Sequence, residues 1–492
     1  MIKIKRLTNE QLILFFYVTI SVITSLFFQN KYIAIAIGVI ETFILFFCAI
    51  FKTTDKTILY LLFFQSTVIE NSLFALGTKD VKIYHVASLP LVRVYHILFL
   101  IILLLVKSLP CNKWDKIKFS LKEKHIRYII LWICAFCVSV ITFFLDDNKV
   151  RSVWGLTRYI IVDAYNTLWL VGVFAIVYKN LSIKEKFKKQ LEILFVGILK
   201  GSTISAVILV LLGNVRILEN GESMYLICPL IFYWAPALLL FYIKEKKISY
   251  VIYGIIAIIL QIKYTVGIPG TWWITTGVIS LVFVLKIFLN IPSAKKFGQS
   301  FGVVLFIGCI GVLFTVLLFA GETAGSNNYV MYKLSTVKKI FLFTSDASVW
   351  LYNLGKSVGT RVEEFINVII EYINKPMYLF TGKGFGGTIQ HYWGVFSWDY
   401  ENAFTEVQRI NGSYSNFHTG AVEMMINFGI SGFFFVVRWI FELIGAAKEK
   451  KENPWIIIGT LYMLLFFSCY WSMVICIAMM SYGVYLNDSK EI

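Results

Sequence analysis

The feature that most limits what this chain can become is a succession of apolar runs, each near the roughly 20 residues that cross a hydrocarbon layer about 30 Å thick. Residues 12–28 (LILFFYVTISVITSLFF), 128–145 (YIILWICAFCVSVITFFL) and 301–320 (FGVVLFIGCIGVLFTVLLFA) are three of them. Hydrocarbon supplies no partner for an exposed backbone N–H or C=O, so such runs are predicted as helices. The chain as a whole is 58% hydrophobic and 15% charged, with a mean hydropathy of +0.74. A soluble domain lies nearer half apolar and a quarter charged, and a soluble core does not account for the excess. The expected fold class is an all-α polytopic integral membrane protein of about 12–14 transmembrane helices.

Spans are predicted near 11–29, 32–51, 57–76, 88–106, 128–145, 159–178, 191–213, 223–243, 248–263, 271–289, 298–319 and 417–440, with 455–486 as one long helix or, slightly favoured, a tight hairpin. The net charge of +17 would suggest nucleic acid in a soluble protein, but here Lys and Arg fall between spans rather than on one face, so no nucleic-acid partner is expected. Segments 107–127, 179–190, 244–247, 286–297 and 446–452 carry them, and the alternate loops are poor in them. The positive-inside rule makes that side the cytoplasm, with the N-terminus on it. The basic opening MIKIKRLTNEQ is followed by too long a run, without a small-residue cleavage site, so it is expected to lead into a first span rather than a signal peptide. The eight Cys lie mostly within spans without the Cys/His spacing of a metal site, and they read as packing residues.

This orientation puts the longest polar segment outside and divides the chain into helices over 1–319, an outer loop domain over 320–416 and C-terminal helices over 417–492. Loops beyond about 15 residues are functional or disordered. Trp350, Tyr352, Tyr372, Trp393, Trp398, Tyr400 and Tyr414 make this one too aromatic for disorder. Within it Val358, Val362, Phe365, Ile366, Ile369, Ile370 and Ile373 recur at helical spacing, with Arg361, Glu363, Glu364 and Glu371 on other faces. The amphipathic helix they predict stops at Asn374-Lys375-Pro376. It either packs on its own loop or lies along the outer membrane surface over a substrate groove.

Ionisable groups inside spans are costly and mark function or pairing between helices; Glu70, Arg93, Asp163, Lys200 and Glu423 qualify, while Arg158 and Arg438 lie near span ends, where snorkelling is the plain alternative. In FTGKGFGGTIQHYW, Gly382, Gly384 and Gly387 have G-x-G-x-x-G spacing without the strand-to-helix context of a dinucleotide fold. A tight turn is the simpler reading, and an anion cradle built of backbone amides is the sharper one. His418 opens an apolar span at the outer interface, and Glu423 follows one and a half turns deeper. Arg361 and Arg409 share that outer region and suit bidentate phosphate recognition.

These residues together resemble the O-antigen polymerase and O-antigen ligase superfamily of bacterial envelope glycosyltransferases. Its members have about a dozen spans, a large outward loop late in the chain and a motif H-[NSQ]-x9-G-x-x-G, read here as His418, Thr419, nine residues, Gly429, two residues and Gly432. Arg361, the amphipathic run, Pro376 and Gly382-Lys383-Gly384 match the upstream pattern in order. The resemblance covers residues 358–435 specifically and the rest only architecturally. It implies glycosyl transfer from an undecaprenyl-diphosphate-linked oligosaccharide at the outer face of the bacterial plasma (inner) membrane, without a metal, nucleotide sugar or other cofactor. The expected partners are that lipid-linked oligosaccharide, membrane lipid, a flippase and a chain-length regulator.

In that chemistry Arg361 would offset charge on the leaving diphosphate, helped by Arg409 or Arg158. His418 would deprotonate or orient the acceptor hydroxyl, and Glu423 would orient His418. Tyr392, Trp393, Trp398 and Tyr400 offer flat faces for sugars, with loop packing as the alternative. Three functions compete. A polymerase of O-antigen, capsule or exopolysaccharide repeat units is favoured over a ligase delivering a glycan to a lipid or protein acceptor. A lipid-linked oligosaccharide flippase or transporter would instead call for short loops and paired half-repeats.

Overall fold

The computed structural model describes residues 9–27, 31–67, 124–145, 185–217, 224–264, 270–289, 356–395, 419–434 and 454–466, with a few single positions around 349–352, 410–417 and 437–441. The described chain is mostly helical. In order it forms α1 (Asn9–Leu26), α2 (Lys31–Phe51), α3 (Thr54–Gln65), α4 (Lys124–Leu145), α5 (Glu185–Leu211), β1 (Val215–Ile217), β2 (Met224–Leu226), a 3-10 segment (Leu230–Ala237), α6 (Leu238–Glu245), α7 (Ile248–Tyr264) and α8 (Gly270–Leu289). It continues as α9 (Lys356–Asn374), α10 (Met377–Thr381), β3 (Ile389–Gln390), β4 (Ser413–Tyr414), α11 (Gly420–Phe428) and α12 (Pro454–Phe466). Two of these helices, over Asn9–Leu26 and Lys186–Leu211, are long and apolar enough to cross a membrane. Ala36–Phe51, Ile130–Thr142 and Ile248–Tyr264 are shorter apolar helices. The spans predicted at 88–106, 159–178 and 298–319, and the choice between one helix and two over 455–486, lie outside the described residues.

The chain divides into two compact units. In the first, built from 1–26, 66–77 and 193–355, α1 runs parallel to α5. Ile13 meets Gly197, Tyr17 meets Gly201, and Asn214 Nδ2 donates to the Ser25 carbonyl at 3.3 Å. Glycine lets the helices approach this closely: a Cβ at Gly201 would stand 2.7 Å from the Tyr17 ring. Tyr17 donates its hydroxyl to the Ser66 carbonyl at 2.9 Å. Lys200, singled out as an ionisable group inside a span, pairs with Glu10 at 2.6 Å and lies 4.5 Å over the Tyr250 ring.

The span predicted at 223–243 is not one α-helix. Its start is β2, paired antiparallel with β1, and Pro229 and Pro236 hold the next eight residues as a 3-10 segment before α6 begins. Proline has no N–H to give the carbonyl four residues back. That carbonyl, of Phe232, is met by Gln261 Nε2 at 3.0 Å, and Thr276 donates to Gln261 Oε1 at 3.0 Å. One glutamine thus ties α7 to both the proline break and α8.

The second unit comprises 27–65, 78–192 and 356–492. α2 and α3 form a tight hairpin in which Thr57 Oγ1 donates to the Cys48 carbonyl at 2.9 Å. The span predicted at 417–440 is interrupted: α11 ends at Phe428, Gly429 has a φ of +65°, and helix resumes over 430–434. A Cβ at Gly429 would stand 2.5 Å from the Leu379 carbonyl oxygen, so the break is where α10 presses against the chain. The architecture also departs from purely α through two two-stranded ribbons, β1-β2 and β3-β4.

Candidate functional site

Helix α9 is amphipathic as predicted and stops at Asn374. Thr360, Glu363, Glu364, Asn367, Val368, Glu371 and Tyr372 are buried, a stripe at helical spacing made largely of polar groups. The isoleucine side faces out, with Ile369 and Ile373 exposed. Of the predicted apolar set, Phe365 packs against the core, whereas Ile369 and Ile373 do not. Buried polar groups need partners, and those of α9 find them in the segment that follows it.

Asn367 grips that segment through its backbone. Its Oδ1 accepts the amides of Tyr392 at 2.7 Å and Trp393 at 2.9 Å, and its Nδ2 donates to the Trp393 carbonyl at 2.6 Å. Glu363 Oε1 accepts the Val395 amide at 2.5 Å. One helical turn on, Glu371 accepts Lys383 Nζ at 2.5 Å, Lys375 Nζ at 3.3 Å and the Tyr392 hydroxyl. Lys383 also donates to the Thr388 carbonyl at 2.5 Å and lies 4.9 Å over the Tyr378 ring.

Burial alone would raise the Glu371 carboxyl, but hydrogen bonding and charge from Lys383, then Tyr392 and Lys375, hold it below the usual carboxylate range. Burial and then the bond to Glu371 push Tyr392 up to about 12. It stays protonated and donating.

The glycine turn is a packing device. Gly382 and Gly384 have φ of +64° and +72°. A Cβ at Gly382 would stand 2.5 Å from the Asn427 carbonyl oxygen, and one at Gly384 2.6 Å from the Ser139 amide nitrogen. Lys383 N donates to the Ile426 carbonyl at 2.7 Å, Gly387 N to the Gly384 carbonyl at 3.0 Å, and Phe385 N to Ser139 Oγ at 2.5 Å. These three amides serve protein acceptors. Close approach to α4 and α11 is the reason for glycine at 382 and 384.

Beyond the turn, Ile389 and Gln390 pair with Tyr414 and Ser413, which carries the chain back to the start of α11. Val368, Tyr372, Ile389, Phe417, Met425 and Ile426 pack into one core beneath the ribbon, and Tyr372 donates its hydroxyl to the Met425 carbonyl. The two segments singled out in the sequence, 358–387 and the opening of the next helix, thus form one packed body.

Thr419 caps α11, its Oγ1 accepting the Val422 amide at 3.4 Å. Thr, like Asn or Ser, serves this position well. Glu423 is buried and accepts the Phe417 amide at 3.2 Å. This bond fixes the backbone immediately before His418, which itself lies outside the described residues, as do Arg409 and Arg158. Arg361 is half-buried on α9, two residues before Glu363. Tyr392 is tied to Glu371 by its hydroxyl, whereas the Trp393 ring keeps an exposed face.

The sequence reading missed Glu371 and Lys383 as a pair, and it missed His391. A Cβ on Gly394 would stand 2.5 Å from His391 Nε2 and 2.7 Å from Glu363 Oε2, so these two side chains converge on a point that only glycine leaves open. Burial lowers the His391 pKa against the raising charge of Glu363. The available signal was the helix itself. Between Arg361 and its end at Asn374 it carries three glutamates and no cation, unlike a solvated face with interleaved Glu and Lys.

Among the described residues no three His, Cys, Asp or Glu side chains are grouped to hold a metal ion. Compared with protein-family models, with curated proteins and with solved structures, the chain matches none.

Proposed function

We propose that the chain is a multi-pass protein of a bacterial plasma membrane that transfers glycan from undecaprenyl-diphosphate-linked repeat units on the outer face, growing a polysaccharide. Support for the membrane part comes from the succession of apolar runs and the alternation of cation-rich and cation-poor loops. The parallel packing of α1 on α5 agrees with it, because spans one and seven of that alternation run in the same direction.

The observation that carries the catalytic reading is the packed body formed by α9, the glycine turn and the start of α11. Arg361 lies on α9, and Phe417 and Thr419 flank His418 in the sequence, so these parts of that body are taken as the site. A cation beside an acid-base group at a membrane-facing seam suits departure of a lipid diphosphate and activation of a sugar hydroxyl. Arg361 is assigned to the diphosphate, His418 to the acceptor hydroxyl and Glu423 to the position of His418.

The deciding experiment reconstitutes the purified full chain with lipid-linked repeat units. Products of increasing length mark a polymerase, and a single transfer to an added acceptor marks a ligase. Movement of donor across the vesicle membrane without turnover marks a transporter and overturns the reading. Arg361→Ala and His418→Ala, expressed at normal levels, are expected to abolish chain growth; full-length polysaccharide from either removes that residue from catalysis.

A further inference from the structure

The exposed isoleucine side of α9 is followed, across the break at Lys375-Pro376, by exposed apolar residues on α10. Ile373 is 71% exposed, Met377 70% and Phe380 74%, and Ile369 precedes them one turn back. Their spacing keeps them on one side of the two helices, while the polar stripe of α9 faces inward to Asn367's backbone clamp and the Glu371–Lys383 pair. An apolar outer side over a satisfied polar inner side is the reverse of a water-facing surface helix.

The turn that follows is seated low on α4. Phe385 N donates to Ser139 Oγ at 2.5 Å, and Thr142 Oγ1 donates to the Lys383 carbonyl at 3.2 Å. Leu145 is the last described residue of α4, and Asp146, Asp147, Asn148 and Lys149 follow it in the sequence. With a helical rise of about 1.5 Å per residue, Ser139 and Thr142 lie about 5–9 Å inside that end. Helices embedded at a membrane interface reach about 5–10 Å below it. Irregular backbone at such depth is tolerated only where protein satisfies its polar groups, and the amides of Lys383, Phe385 and Gly387 are so satisfied.

We propose that α9 and α10 dock on the acyl chains of the outer leaflet through Ile369, Ile373, Met377 and Phe380, and that the glycine turn beneath them is a re-entrant loop. The inference rests on the membrane reading above and adds a surface to it. The occupant is lipid because other elements of the same unit share the character: Phe43, Phe47 and Phe51 of α2 and Ile141 of α4 are exposed as well. A bilayer covers all these faces at once, whereas a protein partner or a second copy would need a complementary surface for each. The consequence for the proposed chemistry is that a lipid-linked donor reaches the seam from within the leaflet.

The test places the photo-reactive residue benzoylphenylalanine singly at Ile373, Met377 or Phe380 in the full chain, reconstituted in vesicles of radiolabelled phosphatidylethanolamine and phosphatidylglycerol. Ile141 serves as the reference within a span, and Gln390, an exposed polar position on β3, as the reference in water. Illumination is expected to give phospholipid adducts at the three test positions at a yield within about threefold of Ile141, against background at Gln390. Adducts at Ile141 but background at all three overturn the docking and leave the membrane reading standing. Chain-to-chain adducts there in place of lipid overturn it in favour of a second copy. Background at Ile141 as well overturns the membrane reading and the docking with it.

Discussion

Lys383 sets its ammonium 2.5 Å from the buried carboxylate of Glu371, joining the glycine turn to the helix that precedes it. Glu371 is 1% exposed, so the pair is a buried one, held further by Tyr392 and the Thr388 carbonyl. Removing one member of such a pair strands the other, at a cost of about 3–5 kcal/mol, whereas removing both is far milder. Lys383→Met is therefore expected to lower the thermal stability of the purified protein markedly, with Lys375, 3.3 Å from Glu371, softening the loss. The double variant Lys383→Met/Glu371→Gln is expected to recover more than half of it. Additive losses in a double-mutant cycle would show that the two residues do not act as a pair.

The same carboxylate sets an acid limit. Its pKa is held below the ordinary value because Lys383, Tyr392 and Lys375 together outweigh the raising effect of burial. A depressed carboxylate contributes its stability in full above the unfolded value of about 4.3 and loses it as pH falls through the folded value. Stability is expected to be level between about pH 7 and 5 and to drop below about pH 4, with a shallower drop in Glu371→Gln. Thermal unfolding across that range decides the matter, and parallel curves for the two proteins would free Glu371 of the role.

Gly384 meets α4 where no side chain fits. An alanine there would combine a φ of +72° with a Cβ 2.6 Å from the Ser139 amide nitrogen. Strain and overpacking together are expected to cost on the order of 3 kcal/mol or more. Gly384→Ala should give poor yield and rapid proteolysis within 377–395. Ser139→Ala, which removes the acceptor for the Phe385 amide and the bond to the Ala135 carbonyl within α4, should cost less, about 1–2 kcal/mol. Equal stability of Gly384→Ala and the parent would mean that the turn does not sit against α4.

The legible part of this fold is what periodicity encodes. α1, α2, α4, α7 and α8 lie where their apolar runs predict, and α9 stops at Asn374 as its proline signal requires. Hydropathy was blind to Pro236 and Gly429 because neither makes a run less apolar. Each breaks a helix through backbone chemistry instead, one by lacking an amide and the other by a positive φ forced by contact with Leu379. The outward turn of the isoleucines escaped for a related reason. Amphipathic spacing states that a helix has two faces, and only partners such as Lys383 and the amides of Tyr392 and Trp393 settle which face is buried. Those partners lie 12 to 26 residues away across a turn, a separation that no local pattern reports.

Asn427 offers the sharpest separation of stability from function. It is wholly buried on α11, two residues before the break at Gly429, and neither its Nδ2 nor its Oδ1 meets a hydrogen-bond partner among the described residues. A buried amide left in that condition costs about 1–3 kcal/mol, and an apolar side chain of similar volume avoids the cost. Asn427→Leu is therefore expected to raise the thermal midpoint of the purified protein by several degrees. Chains retain such costly groups where activity needs them, and α11 also carries Glu423, which holds the Phe417 amide. The same variant is accordingly expected to slow chain growth in the reconstituted assay, by about tenfold if the carboxamide contributes one hydrogen bond to the reacting complex. A less stable Asn427→Leu would show that the carboxamide is satisfied in the folded protein, and undiminished chain growth would remove it from the site.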